Sequence, residues 1–387
     1  MMEHDARAPD QLPPQYTRLL EDFTAGSRTA LARTISVVED ARPGFQAILS
    51  ALHPRIGRAH RLGITGPPGA GKSTLTAALI AAFRAHGERV AVIAVDPTSP
   101  FTGGALLGDR IRMNDAARDR DVFIRSMATR GSLGGLATTT GEVADTLDAF
   151  GFDRIIIETV GVGQSELDIA ATADSTVVVL VPESGDSIQA MKAGLMEIAD
   201  LFVVNKADRP GAERLAREIE LMLHLRHGNT LRNVPAHHGV DTTRIAARHA
   251  PAKANVPVNA NVNEPAHANA PANANVSEPV NENEHEPVPV WPIPVLLTIA
   301  ETGDGVPRLV ETLEQHRSWL VGSGELSRRR RARLADRVRD AVARSLARTA
   351  WHERGGEELL AGALDGMEAG TLTPYEVAAR IVRAVAG

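Results

Sequence analysis

The sequence predicts an α/β fold in which helices cover both faces of a mostly parallel sheet. Short runs rich in Val, Ile and Leu recur along the chain and alternate with segments of helical periodicity, which is the pattern of parallel strands buried on both faces. The predicted strands cover residues 61–65, 89–96, 154–161, 175–182, 200–208 and 295–300. The first two strands, with a helix predicted between them from residue 72 to about 86, form a βαβ unit.

Helices are also predicted on both sides of the sheet-forming region. Residues 16–52 carry apolar side chains at helical spacing and predict two or three helices before the first strand. After residue 322 a run rich in arginine also keeps a helical period in its apolar residues. We interpret its basic face as a solvated helix face and not as a nucleic-acid site. The sequence TPYE at 373–376 is a capping box with proline at the first helical position, and it predicts a last helix.

Residues 243–290 interrupt this pattern. They consist mainly of Asn, Ala, Pro and Glu without a usable period. Such a segment cannot bury enough apolar surface to offset the entropy lost on ordering, so we predict a disordered surface insertion.

The composition limits the classes of function. The 387 residues carry a net charge of -6 and include no cysteine. The lack of cysteine excludes disulfides, thiolate metal sites and thiol nucleophiles, and it suits a reducing compartment. A mildly acidic chain gives no argument for nucleic acid or an anionic membrane as a partner. The polar first residues do not form a signal peptide, and the longest apolar runs are much too short to span a membrane. We therefore expect a soluble cytoplasmic protein.

A glycine-rich stretch, GITGPPGAGKST at 63–74, joins the first predicted strand to the first predicted helix. Its spacing is that of a phosphate-binding loop, in which backbone N–H groups surround a phosphate, the lysine reaches the β- and γ-phosphates and the following hydroxyl holds Mg²⁺. The positive end of the helix points at the same anion. The predicted nucleotide-binding residues of this loop are Gly66, Gly69, Ala70, Gly71, Lys72, Ser73 and Thr74.

The sequence NKAD at 205–208 follows a buried strand and indicates guanine as the base. A carboxylate at Asp208 can accept hydrogen bonds from the guanine N1–H and amino group, which adenine does not offer in that position. Asn205 is expected to tie this loop to the phosphate loop, and the stem of Lys206 can pack over the base. The segment 298–305 is a candidate second base loop, with backbone N–H groups from Ala300 onward.

Several carboxylates follow predicted strands and are candidate Mg²⁺ ligands. Glu158 stands where many phosphate-loop enzymes carry aspartate, and Gly161 frees the backbone near the γ-phosphate. Asp96 and Asp109 lie in or beside a glycine-containing loop that can act as a nucleotide-sensing switch or simply as a linker. The candidate metal ligands are Ser73, Asp96, Asp109 and Glu158, and the candidate catalytic residues are Lys72, Asp96, Asp109 and Glu158.

Together these motifs resemble the methylmalonyl-CoA mutase-associated GTPases, the MeaB/ArgK group in the G3E class of P-loop GTPases. The resemblance rests on GPPGAGKST, VDPTSPFTGGALLGDRIRM, FIRSMATRGSLGGL, ETVGVGQSE, GDSIQAMKAGLMEIAD and NKAD. It implies a homodimeric GTPase that binds GTP or GDP with Mg²⁺. It also implies that the protein escorts adenosylcobalamin to a B12-dependent mutase, such as methylmalonyl-CoA mutase, and protects the loaded enzyme.

By matching position, the resemblance also assigns roles to residues. Those assigned to phosphate and Mg²⁺ are Lys72, Ser73, Asp96, Asp109 and Glu158, and those assigned to guanine are Asn205, Lys206 and Asp208. Gln189 and Lys192, in the segment 182–192, match the loop that the family uses to communicate with the mutase.

On this basis the chain divides into five expected regions. They are an N-terminal helical extension at 1–58, a first part of the GTPase domain at 59–242, the disordered insertion at 243–290, the last strand and helix of the GTPase domain at 291–324, and a C-terminal helical dimerisation region at 325–387.

Three other interpretations stay open. A nickel-type metallochaperone GTPase would use the histidines at 224, 227, 237, 238 and 249, of which the first two are spaced to share a helix face. A transport-system-associated kinase or ATPase of the ArgK type is a second alternative, although the sequence shows no acceptor site for it. A scaffold in which nucleotide binding alone matters is the third.

Overall fold

The computed structural model describes residues 12–96, 118–128, 135–159, 165–182, 194–227 and 290–386. In these ranges the strands form one seven-stranded sheet in the order β3-β2-β4-β1-β5-β6-β7, and every neighbouring pair is parallel. The strands are β1 His60–Thr65, β2 Val90–Asp96, β3 Val122–Ala128, β4 Arg154–Thr159, β5 Ser175–Leu180, β6 Leu201–Asn205 and β7 Val295–Thr298. The predicted α/β fold is confirmed.

Helices cover both faces of this sheet. The described helices of eight or more residues are, in chain order, α1 Pro14–Thr24, α2 Arg28–Glu39, α3 Phe45–Leu52, α4 Lys72–Ala85, α5 Gly135–Phe150, α6 Ser165–Thr172, α7 Ala212–His227, α8 Val306–Gly322, α9 Glu325–Arg348, α10 Gly356–Glu368 and α11 Pro374–Ala386. The last two pack against each other in a small separate cluster. Helices α4 and α8 pack on one face, and α5, α6 and α7 pack on the other. None of the helices in the described part of the chain has the length and apolar character needed to cross a bilayer.

Strand β3 is absent from the set of strands predicted from the sequence. Its sequence VFIRSMA is interrupted by Arg125 and Ser126, so it lacks the continuous apolar run that marks the other strands. The structure accommodates the arginine because β3 lies at the edge of the sheet, where the Nε of Arg125 donates to a carboxylate oxygen of Glu39 on α2 at 3.0 Å. The other strands are found as predicted, with ends that differ by one to three residues.

The three N-terminal helices belong to the same packed body as the sheet. Phe23 of α1 lies edge-to-face against Phe150 of α5, with ring centroids 5.1 Å apart. Asp148, also on α5, accepts hydrogen bonds from the backbone N–H groups of residues 57, 58 and 59 at 2.7, 3.1 and 3.0 Å. The chain that connects these helices to β1 is therefore fixed to α5 through one buried carboxylate.

Helix α9 packs on the sheet mainly through arginines. We call the five arginines 329, 330, 333, 337 and 344 the arginine clamp. Arg329 binds Asp200, which precedes β6, through two hydrogen bonds of 2.9 and 3.0 Å. Arg330 and Arg333 both bind Asp174, which precedes β5. The two remaining arginines pair with Asp145 and Glu142 of α5.

The interpretation of this basic run as a solvated helix face is wrong for the arginine clamp. Apolar side chains instead occupy the exposed side of the helix: Leu334, Val338, Val342 and Leu346 are 45%, 63%, 52% and 55% exposed. The sequence could not show this inversion, because the acidic partners lie more than 100 residues away along the chain. The predicted capping box at the last helix is confirmed, since Thr373 and Glu376 exchange side chain to backbone hydrogen bonds of 2.8 and 3.2 Å.

A buried polar relay lies beside the arginine clamp. A guanidinium nitrogen of Arg154 lies 2.9 Å from Nδ1 of His60, Nε2 of His60 lies 2.8 Å from the hydroxyl of Ser175, and this hydroxyl lies 2.8 Å from Nδ1 of His316. Because arginine can only donate, Nδ1 of His60 must accept and the ring is held neutral. Burial, reinforced by the charge of Arg154, lowers the pKa of His60 to about 3.

The buried relay predicts how the stability of the protein changes in acid. The unfolded chain binds a proton at His60 below about pH 6.5 whereas the folded chain does not, so the free energy of unfolding should fall as the pH is lowered, by up to about 1.4 kcal/mol per pH unit from this residue. Denaturant unfolding at pH 6.5, 5.5 and 4.5 would measure the slope. His60→Gln should reduce the slope, and His86→Gln, at an exposed histidine after α4, should not. Equal slopes for the parent and His60→Gln would contradict the assignment.

The pH range is chosen to separate this effect from that of Asp174. Burial would raise the pKa of this carboxyl, but the guanidiniums of Arg333 and Arg330 outweigh burial and hold the pKa well below its usual range. Asp174 therefore stays ionised in the folded protein throughout the window, and its own contribution to stability is lost only in stronger acid.

Candidate nucleotide-binding site

The phosphate loop lies between β1 and α4, at the carboxyl edge of the sheet. Gly66 has φ of +136°, and a Cβ atom there would lie 2.0 Å from the carbonyl oxygen of Val179 on β5. Gly71 has φ of +85°, and its Cβ would lie 2.4 Å from the amide nitrogen of Asn205. Glycine is therefore required at both positions by backbone conformation and by close approach. The strand–loop–helix context that a phosphate loop needs is present.

Lys72, the first residue of α4, is folded back over this loop. Its Nζ donates to the carbonyl oxygens of Gly66 at 2.7 Å and Pro67 at 3.0 Å, and the residue is only 6% exposed. The ammonium is thus held inside the loop, at the N-terminal end of α4. A cation and a helix N-terminus at one place make this position favourable for a bound anion.

Ser73 and Glu158 bring two hard oxygen donors together beside Lys72. The Ser73 hydroxyl donates to Oε1 of Glu158 at 2.5 Å, and both residues are buried. Glu158 is the last residue but one of β4, and its side chain crosses to the first turn of α4. A hydroxyl and a carboxylate at this separation, next to a phosphate loop, fit the preference of Mg²⁺ for oxygen ligands.

The loop after β6 is joined to the phosphate loop by Asn205. The Asn205 side chain is 2% exposed, and its Nδ2 donates to the carbonyl oxygen of Ala70 at 2.9 Å. Its Oδ1 accepts from the backbone N–H of Ala300 at 3.0 Å and from the hydroxyl of Thr298 at 3.2 Å. One amide side chain therefore connects three segments that are far apart in the sequence.

The two predicted base loops lie next to each other around this amide. Lys206 has φ of +57°, and its Nζ donates to the carbonyl oxygen of Gly69 at 2.9 Å, so its stem extends along the phosphate loop. Asp208 is exposed in the turn that follows. The backbone N–H of Ala207 donates to the carbonyl oxygen of Thr298 at 3.0 Å. The N–H of Ala300, which the sequence suggested for the base, is engaged by Asn205 here.

Thr298 is a residue of the site that sequence reasoning did not single out. It ends β7, is 1% exposed and donates its hydroxyl to Asn205. Its position at the start of the candidate second base loop was the only available signal, because the partner lies 93 residues earlier.

Some of the predicted site residues lie outside the described residues. These are Asp109, Gly161, Gln189 and Lys192. Asp96 is the last residue of β2, so its backbone is at the same sheet edge as the phosphate loop, but its side chain is not described. The predicted insertion at 243–290 also lies outside the described residues, apart from Val290.

The histidines proposed as a metal site lie mostly outside the described residues. His224 is exposed on α7, and the same helix ends at His227. The other three histidines of that set are not described. Among the described residues no group of three or more His, Asp or Glu side chains could hold a metal ion.

Comparisons with known proteins place this chain in a family. The family model of the "Methylmalonyl Co-A mutase-associated GTPase MeaB" matches residues 31–354. A protein of Pyrococcus horikoshii named as a GTPase is 43% identical over 325 residues, which cover 84% of this chain and 85% of the relative. The GTPase ArgK of Escherichia coli is 46% identical over 187 residues, covering 47% of this chain and 56% of that protein.

A mammalian relative and a solved structure are also similar. The methylmalonic aciduria type A homolog of Mus musculus, described as mitochondrial, is 37% identical over 222 residues, or 54% of each chain. The crystal structure of a LAO/AO transport system kinase superposes with a TM-score of 0.59 at 24% identity and covers 97% of this chain and 100% of its own, which supports the fold. The family match and the phosphate loop show that the chain belongs to the methylmalonyl-CoA mutase-associated GTPase family and is a P-loop GTPase.

Proposed function

We propose that this GTPase couples GTP hydrolysis to the delivery of adenosylcobalamin to a B12-dependent acyl-CoA mutase, such as methylmalonyl-CoA mutase, and to protection of that enzyme. The observation that carries the nucleotide part is the Asn205 junction, which joins the phosphate loop to both candidate base loops. The partner is supported by the family description, which names methylmalonyl-CoA mutase, and by the name of the mouse relative. The cysteine-free composition suits a reducing compartment, and we propose the cytoplasm.

The described residues support the following roles in hydrolysis. Lys72 neutralises charge on the β- and γ-phosphates, because its ammonium already lies inside the loop. Ser73 and Glu158 would hold Mg²⁺, which when bound neutralises the charge that develops on the phosphates. We propose Asp96 and Asp109 as further carboxylates of this set and Gly161 as a backbone contact near the γ-phosphate, on the resemblance of their motifs.

Guanine selection is assigned to Asp208 and its neighbours. The carboxylate is exposed beside Lys206, whose stem extends along the phosphate loop, so a base lying over that stem comes within reach of Asp208. Guanine offers two N–H donors to a carboxylate, whereas adenine would leave it without either. Binding should therefore favour GTP and GDP over the adenine nucleotides.

We predict that the parent binds GTP more tightly than ATP by at least about a hundredfold, because a base that lacks the donors leaves a desolvated carboxylate unpaired. Asp208→Asn should reduce this ratio by about tenfold or more. Competition binding with both nucleotides measures it, and Asp365→Asn, at an exposed aspartate of α10 outside both base loops, serves as the control. Comparable affinities of the parent for GTP and ATP would refute guanine selection.

A homodimer through the C-terminal helices is supported by the inverted helix α9. The arginine clamp holds one side of this helix on the GTPase core, and Leu334, Val338, Val342 and Leu346 recur every fourth residue on the other side. A row of this kind resembles the apolar stripe that a packed helix buries. We propose that a second copy of the chain covers it.

Disrupting this stripe should produce monomers. Val338→Arg places a charge at the centre of the stripe. We expect the dissociation constant of the dimer to rise by more than about tenfold, since burying an unpaired charge in an apolar interface costs several kcal/mol. Ala343→Arg is the control, because Ala343 is exposed on the same helix at about 140° from Val338 around the helix axis. Sedimentation equilibrium over a range of concentrations gives the mass. A parent that is monomeric at all concentrations, or equal dissociation of both variants, would exclude this interface.

Coupling to the mutase is proposed to run through the segment that follows β5, which contains Gln189 and Lys192. Strand β5 runs parallel to β1 and ends on the same side of the sheet as the phosphate loop, which supports this proposal for the segment that follows it. A partner that binds there can accelerate hydrolysis only to the extent that it prefers the hydrolysis-competent arrangement.

Lys192→Ala should leave the intrinsic GTPase rate within about twofold of the parent and lower the mutase-stimulated rate by about tenfold. GTP turnover with and without saturating methylmalonyl-CoA mutase tests this, and Arg214→Ala, at an exposed arginine of α7, is the control. Absence of stimulation in the parent would argue against this mutase as partner. Equal loss of both rates would instead place Lys192 in the hydrolytic site.

A further inference from the structure

Two threonines connect the ends of β1 and β4 beside the nucleotide site. The backbone register between these strands runs as far as Ile64 opposite Glu158. The next residues, Thr65 and Thr159, end their strands, are 0% and 2% exposed, and are joined by a hydrogen bond of 3.1 Å from the Thr159 hydroxyl to the Thr65 hydroxyl. A side-chain bond therefore continues the connection beyond the last paired residues.

The position of this pair relates it to the phosphate loop. Thr65 directly precedes Gly66, whose backbone is packed tightly against Val179. Thr159 directly follows Glu158, whose carboxylate accepts from Ser73 at the other end of the loop. Because successive side chains of a strand point to opposite faces, β4 contacts Thr65, the residue before the loop, from one face of the sheet and Ser73, at the end of the loop, from the other.

The chemistry of the pair sets a distance. Two valines would fill nearly the same volume and would suit buried strand ends, whereas two buried hydroxyls are costly unless they bond to a partner. A hydroxyl–hydroxyl bond is directional, so this bond of 3.1 Å restrains the separation of the ends of β1 and β4. Small displacements of groups around reacting phosphates have large effects on rate.

We infer that Thr65 and Thr159 are positioning residues for GTP hydrolysis. Their hydroxyl bond fixes the end of β4, and with it Glu158, relative to the phosphate loop. This inference rests on the GTPase site described above. Nucleotide affinity depends mainly on other groups, such as Lys72 and Asn205, so loss of the bond affects turnover more than binding.

The experiment removes the bond without changing the volume. Thr159→Val should lower kcat for GTP hydrolysis by about tenfold while the KM for GTP and the Kd for GDP change by less than about twofold. Thr159→Ser keeps the hydroxyl and should restore kcat to within about twofold of the parent. Thr65→Val should match Thr159→Val, and the double variant should lose no more than either single variant because they remove the same bond.

The matched control is Thr146→Val. Thr146 is also fully buried, and its hydroxyl donates to the carbonyl oxygen of Glu142 within α5 at 3.0 Å, away from the phosphate loop. It should lower Tm by a similar amount with no change in kcat. If Thr159→Val does not fold, Thr65→Val carries the same expectation.

The outcomes distinguish this inference from the assignment of activity. A kcat for Thr159→Val equal to that of Thr146→Val, or no recovery in Thr159→Ser, would overturn the positioning role and leave a structural hydrogen bond only. Additive losses in the double variant would show that the two hydroxyls do not act as a pair. Failure of the parent itself to hydrolyse GTP would instead contradict the GTPase activity on which the inference rests.

Discussion

The nucleotide site depends on the contacts of one buried amide, the side chain of Asn205. Its nitrogen holds the phosphate loop at Ala70, and its oxygen holds Ala300 and Thr298 in the last base loop. Gly71 must lack a Cβ because this amide lies so close to it. An amide can make these contacts because it carries donors and an acceptor on one rigid group, whereas an aspartate in its place could only accept. The relative positions of the phosphate and base loops are therefore set by the residue type as well as by the fold.

Ion pairs hold the opposite side of the sheet together, at the amino ends of the strands. Asp174 and Asp200 precede β5 and β6, and the arginine clamp of α9 neutralises both. Buried ion pairs give little net stability because both partners lose solvation, but removal of one partner leaves an uncompensated charge and costs about 3–5 kcal/mol. The clamp thus determines the position at which α9 docks, while it adds little to the stability of the docked state. Purely apolar packing would tolerate sliding of the helix more easily.

The sequence predicts those parts of the structure that are encoded over a few neighbouring residues. The apolar runs give six strands, GPPGAGKST gives the phosphate loop, and TPYE gives the capping box of the last helix. Strand β3 is not predicted because Arg125 interrupts its apolar run, and the glutamate that compensates for it lies on α2. The arginine clamp and the Thr65–Thr159 bond are not predicted either, because each joins residues that lie about 90 or more positions apart in the sequence. A single sequence contains no signal for such pairs.

The strands themselves connect the two sides of the sheet, the one where strands begin and the one where they end. Strand β1 begins at His60 in the polar relay and ends at Thr65 before the phosphate loop, and β6 begins after Asp200 in the clamp and ends at Asn205. Each of these strands is only five or six residues long and lies between two neighbours in the sheet. These two strands therefore join residues of the relay and of the clamp to residues of the nucleotide site over a short length of chain. The basic side of α9 packs against the core, and its apolar side is exposed in the described structure. Coupling between a second copy on α9, as proposed above, and the nucleotide site would require that both have two distinct arrangements.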